Sequence, residues 1–135
     1  MTNDTIWQLQ KAVYDKLSGD ATLGALITGV FEYVPEGTNF PYVVIDDMKL
    51  KPWSNLSKKG SEINFSIKTY CRERGSKTCL DIMDNVEDLL DEAALTVTNH
   101  ALIHILLEYS EVEQKKDGLN YVGVSKFKAL LEETV

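Results

Sequence analysis

The sequence is poor in the residues that staple, anchor or interrupt a chain. It has two cysteines, Cys71 and Cys79, in 135 residues. Two are too few for a disulfide scaffold, and their spacing suits neither a zinc knuckle nor a redox pair, so free thiols are expected. Prolines number three, and no internal repeat or low-complexity tract suggests a linker. No run of about 18 apolar residues exists, so no transmembrane helix is expected. Met1 to Asp4 lacks a basic stretch leading into an apolar one, so no secretory leader is expected there. With 44% hydrophobic and 26% charged residues, the chain is too apolar to be disordered and has the size of one domain, residues 1–135.

Chemistry is equally sparse. No G-x-S-x-G, P-loop or G-x-G-x-x-G pattern occurs. His100 and His104 could share a metal on a helix, but their stretch reads as strand, where positions four apart lie roughly 13 Å from one another. The pair Asp46-Asp47 could bind a cation or act as acid and base, yet neighbours in a strand face opposite ways. No catalytic, cofactor or metal site is expected, and no enzyme.

Charge is what the sequence does have, and it is unevenly spread. The net charge of −7 conceals a balance of −5 over residues 1–48, +6 over 49–80 and −8 over 81–135. An acidic total argues against wrapping nucleic acid with the whole surface. A basic middle between acidic flanks poses a sharper question: whether the two signs meet within one molecule or between molecules.

Periodicity supplies the elements. Ile6, Leu9, Val13 and Leu17 recur at helical spacing, with Asn3, Asp4 or Thr5 as cap and Ser18-Gly19 as stop. Asp20 caps a short turn of helix over Ala21 to Ile27. Strands are expected over 30–34 and 42–45, the second rich in β-branched residues. Lys49 to Gly60, with Pro52 and Asn55, reads as an exposed basic loop. Glu62 to Tyr70 alternates, Ile63, Phe65 and Ile67 against Glu62, Asn64, Ser66 and Lys68, as a half-buried strand does. Lys77 to Ala94, capped by Ser76, sets an apolar stripe (Cys79, Ile82, Met83, Val86, Leu89, Leu90 and Ala93) against an acidic face of Asp81, Asp84, Glu87, Asp88, Asp91 and Glu92. Two strands follow, Leu102 to Glu113 and Asn120 to Leu131, joined through Asp117-Gly118. In the last, Gly123, Ser125, Phe127 and Ala129 share a face, small enough to admit a helix closely. The order α-β-β-β-α-β-β predicts an α+β single-domain sandwich. It has a mostly antiparallel sheet of about five strands, with two main helices packed on one face.

The acidic helix repeats like charges at 84/88, 87/91 and 88/92, each costing roughly 0.2–0.5 kcal/mol in an isolated helix. A partner bringing positive charge would offset this, and Lys49, Lys51, Lys58 and Lys59 around Trp53 carry the surplus. These lysines and Trp53, with Asp84, Asp88 and Asp91, form the candidate subunit interface; head-to-tail contacts of that kind close into rings. The alternative from another class is a nucleic-acid-binding module, with a base stacked on Trp53 among the same lysines.

Four segments, in order along nearly the whole chain, resemble the tail-completion proteins of long-tailed phages and prophages. These are Leu9-Gln10-Lys11-Ala12-Val13-Tyr14-Asp15-Lys16-Leu17 with Asp20-Ala21-Thr22-Leu23; Val34-Pro35-Glu36-Gly37 with Phe40-Pro41-Tyr42-Val43-Val44-Ile45; Trp53-Ser54 with Lys59-Gly60; and Asp117-Gly118 with Gly123-Val124-Ser125-Lys126-Phe127-Lys128-Ala129-Leu130. The resemblance implies a structural virion protein, a tail terminator or head–tail joining subunit, with no cofactor. It implies a ring, commonly a hexamer, at the head-proximal end of the tail, built from subunits that are monomeric when free. The tail tube protein and a head-closure or connector protein would be partners, DNA would only pass through the lumen, and no membrane would be involved. Assembly would take place in the host cytoplasm. A neighbouring head-closure component is the alternative within the same class.

Overall fold

A computed structural model describes residues 2–54, 59–73, 75–115 and 120–134. Three helices, α1 (Thr2–Ser18), α2 (Ala21–Leu26) and α3 (Lys77–Leu90), accompany five strands. The strands are β1 (Val30–Phe31), β2 (Tyr42–Ser54), β3 (Lys59–Arg72), β4 (His100–Gln114) and β5 (Asn120–Glu133), in one sheet of order β1-β2-β3-β5-β4. β1 runs parallel to β2, and every other neighbouring pair is antiparallel. The α+β expectation and the element order hold, and the short turn of helix expected after Asp20 is α2.

Alternation builds the core. Ile63, Phe65 and Ile67 of β3 are fully buried, as are Phe127, Ala129 and Leu131 of β5, with Phe65 and Phe127 stacked at 5.4 Å. Leu9, Val13 and Leu17 of α1 and Cys79, Ile82, Val86 and Leu90 of α3 close over this face. Gly123 has the role its size suggested: a Cβ there would collide with Met83 Sδ and reach 3.0 Å from Cys79 Sγ. Glycine therefore sets how closely α3 lies on the sheet. The opposite face of the sheet carries no helix among the described residues.

Helix ends depart from the periodic pattern more than helix faces do. Asp20 caps α2 as expected, its carboxylate accepting from Leu23 N–H at 2.8 Å. Ser76 precedes α3 but makes no side-chain cap hydrogen bond. α3 stops at Leu90 rather than Ala94, and Glu92 adopts a left-handed φ of 57°. The strand expected over 30–34 is only two residues long.

The largest correction concerns the basic loop. Residues 49–54 continue β2 and residues 59–60 open β3, paired from Lys49↔Asn64 to Ser54↔Lys59. Proline and polar residues there misled because Pro52 lies on an outer strand, where a missing N–H costs no ladder hydrogen bond. Residues 55–58, and with them Lys58, lie outside the described residues, as does Asp117-Gly118.

Candidate functional site

The sheet has two edges, and the charges are divided between them. β1 pairs with β2 only at Val43 and Val44. Beyond that point β2 is itself the outer strand, and it carries Lys49 and Lys51, both exposed. Lys59 is exposed across from Ser54. Trp53 lies over Gly60, where a Cβ would collide with the indole ring. Lys51, Pro52 and Trp53, with Glu62 and Leu130, line a shallow cavity of about 370 Å³. The candidate residues Lys49, Lys51, Trp53 and Lys59 thus cluster at one end of the β2 edge.

The acids lie towards the other edge. Asp84 and Asp88 of α3 and Asp91 at its C-cap are exposed, spaced so that they continue one helix face. The stripe ends on β4: the Asp91 carboxylate accepts from Leu107 N–H at 2.8 Å, and Glu92 N–H donates to the Ile105 carbonyl at 2.8 Å. Among the described residues, one molecule therefore does not bring Lys49, Lys51 or Lys59 together with Asp84, Asp88 or Asp91. Among the described residues, no ion pair joins Lys49, Lys51 or Lys59 to Asp84, Asp88 or Asp91.

The acidic face of α3 is less uniform than its sequence. Lys77 pairs with Asp81 at 2.8 Å, one turn away. Glu87 turns to the sheet and accepts from Ser125 Oγ–H at 2.7 Å. Burial pushes the Glu87 carboxyl up, and neighbouring Asp84 and Asp88 add to this against the Ser125 hydrogen bond. Glu87 therefore does not belong to the solvated face.

The expectation that Asp46 and Asp47 face opposite ways is overturned. An extra residue in β2 between Asp46 and Lys49 forms a bulge, with Asp47 at a φ of 56°. The bulge cancels the alternation that would separate Asp46 from Asp47, and each carboxylate lies 3.2 Å from Lys68 Nζ. Burial raises the Asp46 carboxyl, but the Asp47 N–H and the Lys68 ammonium outweigh it and hold the group below its ordinary value. This is an internal ion cluster with its cation already supplied by the chain.

Among the described residues, no further group of side chains converges on chemistry. Cys71 and Cys79 are free and buried; the neighbouring Cys79 sulfur and burial push the Cys71 thiol up, away from a reactive thiolate. His100 bonds the Thr98 carbonyl at 2.6 Å and Thr5 Oγ1 at 2.9 Å, tying the start of β4 to α1. Among the described residues, no three His, Cys, Asp or Glu side chains are grouped to hold a metal ion. No described helix is long and apolar enough to cross a membrane.

A second surface unforeseen from sequence lies beside β1. Trp7, Lys11 and Tyr14 of α1 with Val30, Phe31, Glu32 and Tyr33 line a groove of about 360 Å³. Trp7 is 52% and Tyr33 82% exposed there. The spacing 7, 11, 14 marks one helix stripe; the sequence signal was an apolar stripe slightly too wide for one buried face.

Comparison with known proteins bears on the whole chain. The sequence model of the family "Tail completion protein gp17" matches residues 11–132. The fold is similar to that of a chain in the virion of a native gene transfer agent particle, with a TM-score of 0.85 and 26% sequence identity. That likeness covers 92% of this chain and 94% of the other. No curated protein matches the sequence.

Proposed function

Since the chain belongs to the tail completion protein gp17 family, a family of structural virion proteins, we propose that it is the subunit of a ring that caps the tail tube and offers the surface on which the head joins. The observation that carries this is the division of charge between the two edges of one sheet. Lys49, Lys51 and Lys59 lie at the β2 edge, while Asp84, Asp88 and Asp91 lead towards β4. Two complementary surfaces on opposite sides of a subunit make a heterologous contact, and such contacts generate rings when the rotation closes.

In this reading the mechanism is geometric. A closed ring, hexameric when assembled, presents no further surface for tube subunits, and so ends growth. Charge complementarity orients the encounter and excludes the wrong register, because like charges brought together are costly. A free subunit stays monomeric where screening by salt outweighs the pairing. The tail tube protein and the head-closure protein are the other partners, at the head-proximal end of the tail. Assembly takes place in the host cytoplasm, and DNA passes through the lumen. Lys58 belongs to the same basic group by sequence.

Electron microscopy of particles assembled without this chain tests the role. Abnormally long tails are the expected result. Tails of normal length beside leaking heads would assign the chain to the neighbouring head-closure component instead.

A further inference from the structure

The register of the sheet carries the ring contact further than charge alone. Four successive pairings, Val30↔Val43, Val43↔Thr69, Thr69↔Gly123 and Gly123↔Val112, form one row across all five strands. Val30 on β1 and Val112 on β4 therefore stand at the same level on opposite edges. A second row, Lys49↔Asn64, Asn64↔Lys128 and Lys128↔Leu106, sets Lys49 level with Leu106. Leu106 lies between Ile105 and Leu107, the two residues whose outer backbone groups hold Glu92 and Asp91.

Each edge is half covered and half open in the same order. Near Leu106, β4 is shielded by the acidic turn after α3; near Val112 it is not, and among the described residues no backbone hydrogen bond reaches its outer side at 110–113. On the other edge, the basic stretch of β2 stands level with that acidic turn, with Lys49 and Lys51 on the face of the sheet away from the helices. β1, with its outer side likewise open among the described residues, stands where Val112 would arrive. Directions agree as well. β1 runs with β2, and β4 runs against it, so copies placed side by side in one orientation bring β4 against β1 antiparallel, the better-bonded arrangement.

The side chains fit this placement. Val112 shares the helix-bearing face with Gly123 and is 36% exposed. The groove beside β1, with Trp7, Tyr14 and Tyr33, opens on that face. An open edge with exposed apolar residues is a template for another strand.

From these relationships we infer that β4 of one copy adds antiparallel to β1 of the next, joining the sheets of neighbouring subunits, with Val112 seated in the groove of Trp7, Tyr14 and Tyr33. The occupant of that groove is thus a second copy of this chain. The inference rests on the ring reading above and names the contact within it.

Paired cysteine substitutions at exposed positions test it. Tyr33→Cys and Val112→Cys are introduced together and singly, and tails completed with each variant are treated with a short bis-maleimide. Native Cys71 and Cys79 are buried and serve as the unmodified background. The row from Val30 to Val112 spans four interstrand steps, roughly 19 Å at about 4.8 Å each, too far for a short linker within one subunit. The double variant is expected to give a ladder of covalent multimers ending at the ring size, at least tenfold above either single variant. Tails that carry the ring but yield only monomer would overturn the edge contact and leave the ring reading standing. Tails that hold the chain with no ring on imaging would overturn both.

Discussion

The carboxylate of Asp91 holds the backbone N–H of Leu107 at 2.8 Å, fastening the end of α3 to an outer strand. The same residue belongs to the acidic stripe proposed to meet a neighbour's lysines, so its charge and its hydrogen bond must be separated. Asp91→Ala removes both and leaves the Leu107 N–H to solvent. It is expected to cost about 1 kcal/mol, or roughly 4 °C in Tm. Asp91→Asn keeps an acceptor, so its thermal unfolding stays close to wild type while ring assembly weakens. Calorimetry and an assembly assay on the two variants separate the roles.

Gly123 and Gly24 predict opposite outcomes for one substitution. A Cβ at 123 runs into Met83 and Cys79, so Gly123→Ala forces α3 from the sheet and is expected to cost about 1–3 kcal/mol. Gly24, within α2, has nothing within 4 Å of a built Cβ, and Gly24→Ala is expected to stabilise by about 0.5–1 kcal/mol through helix propensity. Urea titration of both variants checks the pair.

Glu87 gives a pH dependence of defined sign. Burial raises its carboxyl above the ordinary value of 4.5. The folded state therefore holds a proton that the unfolded state has released, and this contribution to stability falls as pH rises from about 4.5 through the raised value. Glu87→Gln retains an acceptor for Ser125 and cannot ionise. Tm measured from pH 4 to 7 should show the variant gaining on wild type as pH rises; a constant difference would contradict the assignment.

What the sequence made legible was the pattern of faces. Ile63, Phe65 and Ile67, the apolar stripe of α3 and the small residues of β5 all lie where periodicity put them, because burial enforces a strict period on each element. The ends were harder. α3 overshot because its terminus uses Glu92 in a left-handed conformation, without the glycine that usually marks one. Lys49–Gly60 looked like a loop because an outer strand tolerates proline and exposed lysine, which inner strands do not. Asp46 and Asp47 converge on Lys68 through a bulge, and a single extra residue leaves no periodic trace. The candidate charges were found from composition, but their division between opposite edges depends on strand order, which no local pattern encodes.

The central claim is that basic and acidic groups of different subunits meet across the two sheet edges. Charge reversal with compensation, read by ring assembly on tails, tests it most directly. Lys49→Glu with Lys51→Glu, and separately Lys58→Glu with Lys59→Glu, should abolish or strongly weaken rings. Combining them with Asp84→Lys and Asp88→Lys should restore a substantial part of assembly, and raised salt should weaken the wild-type ring. Unchanged assembly after both sets of reversals would contradict the account.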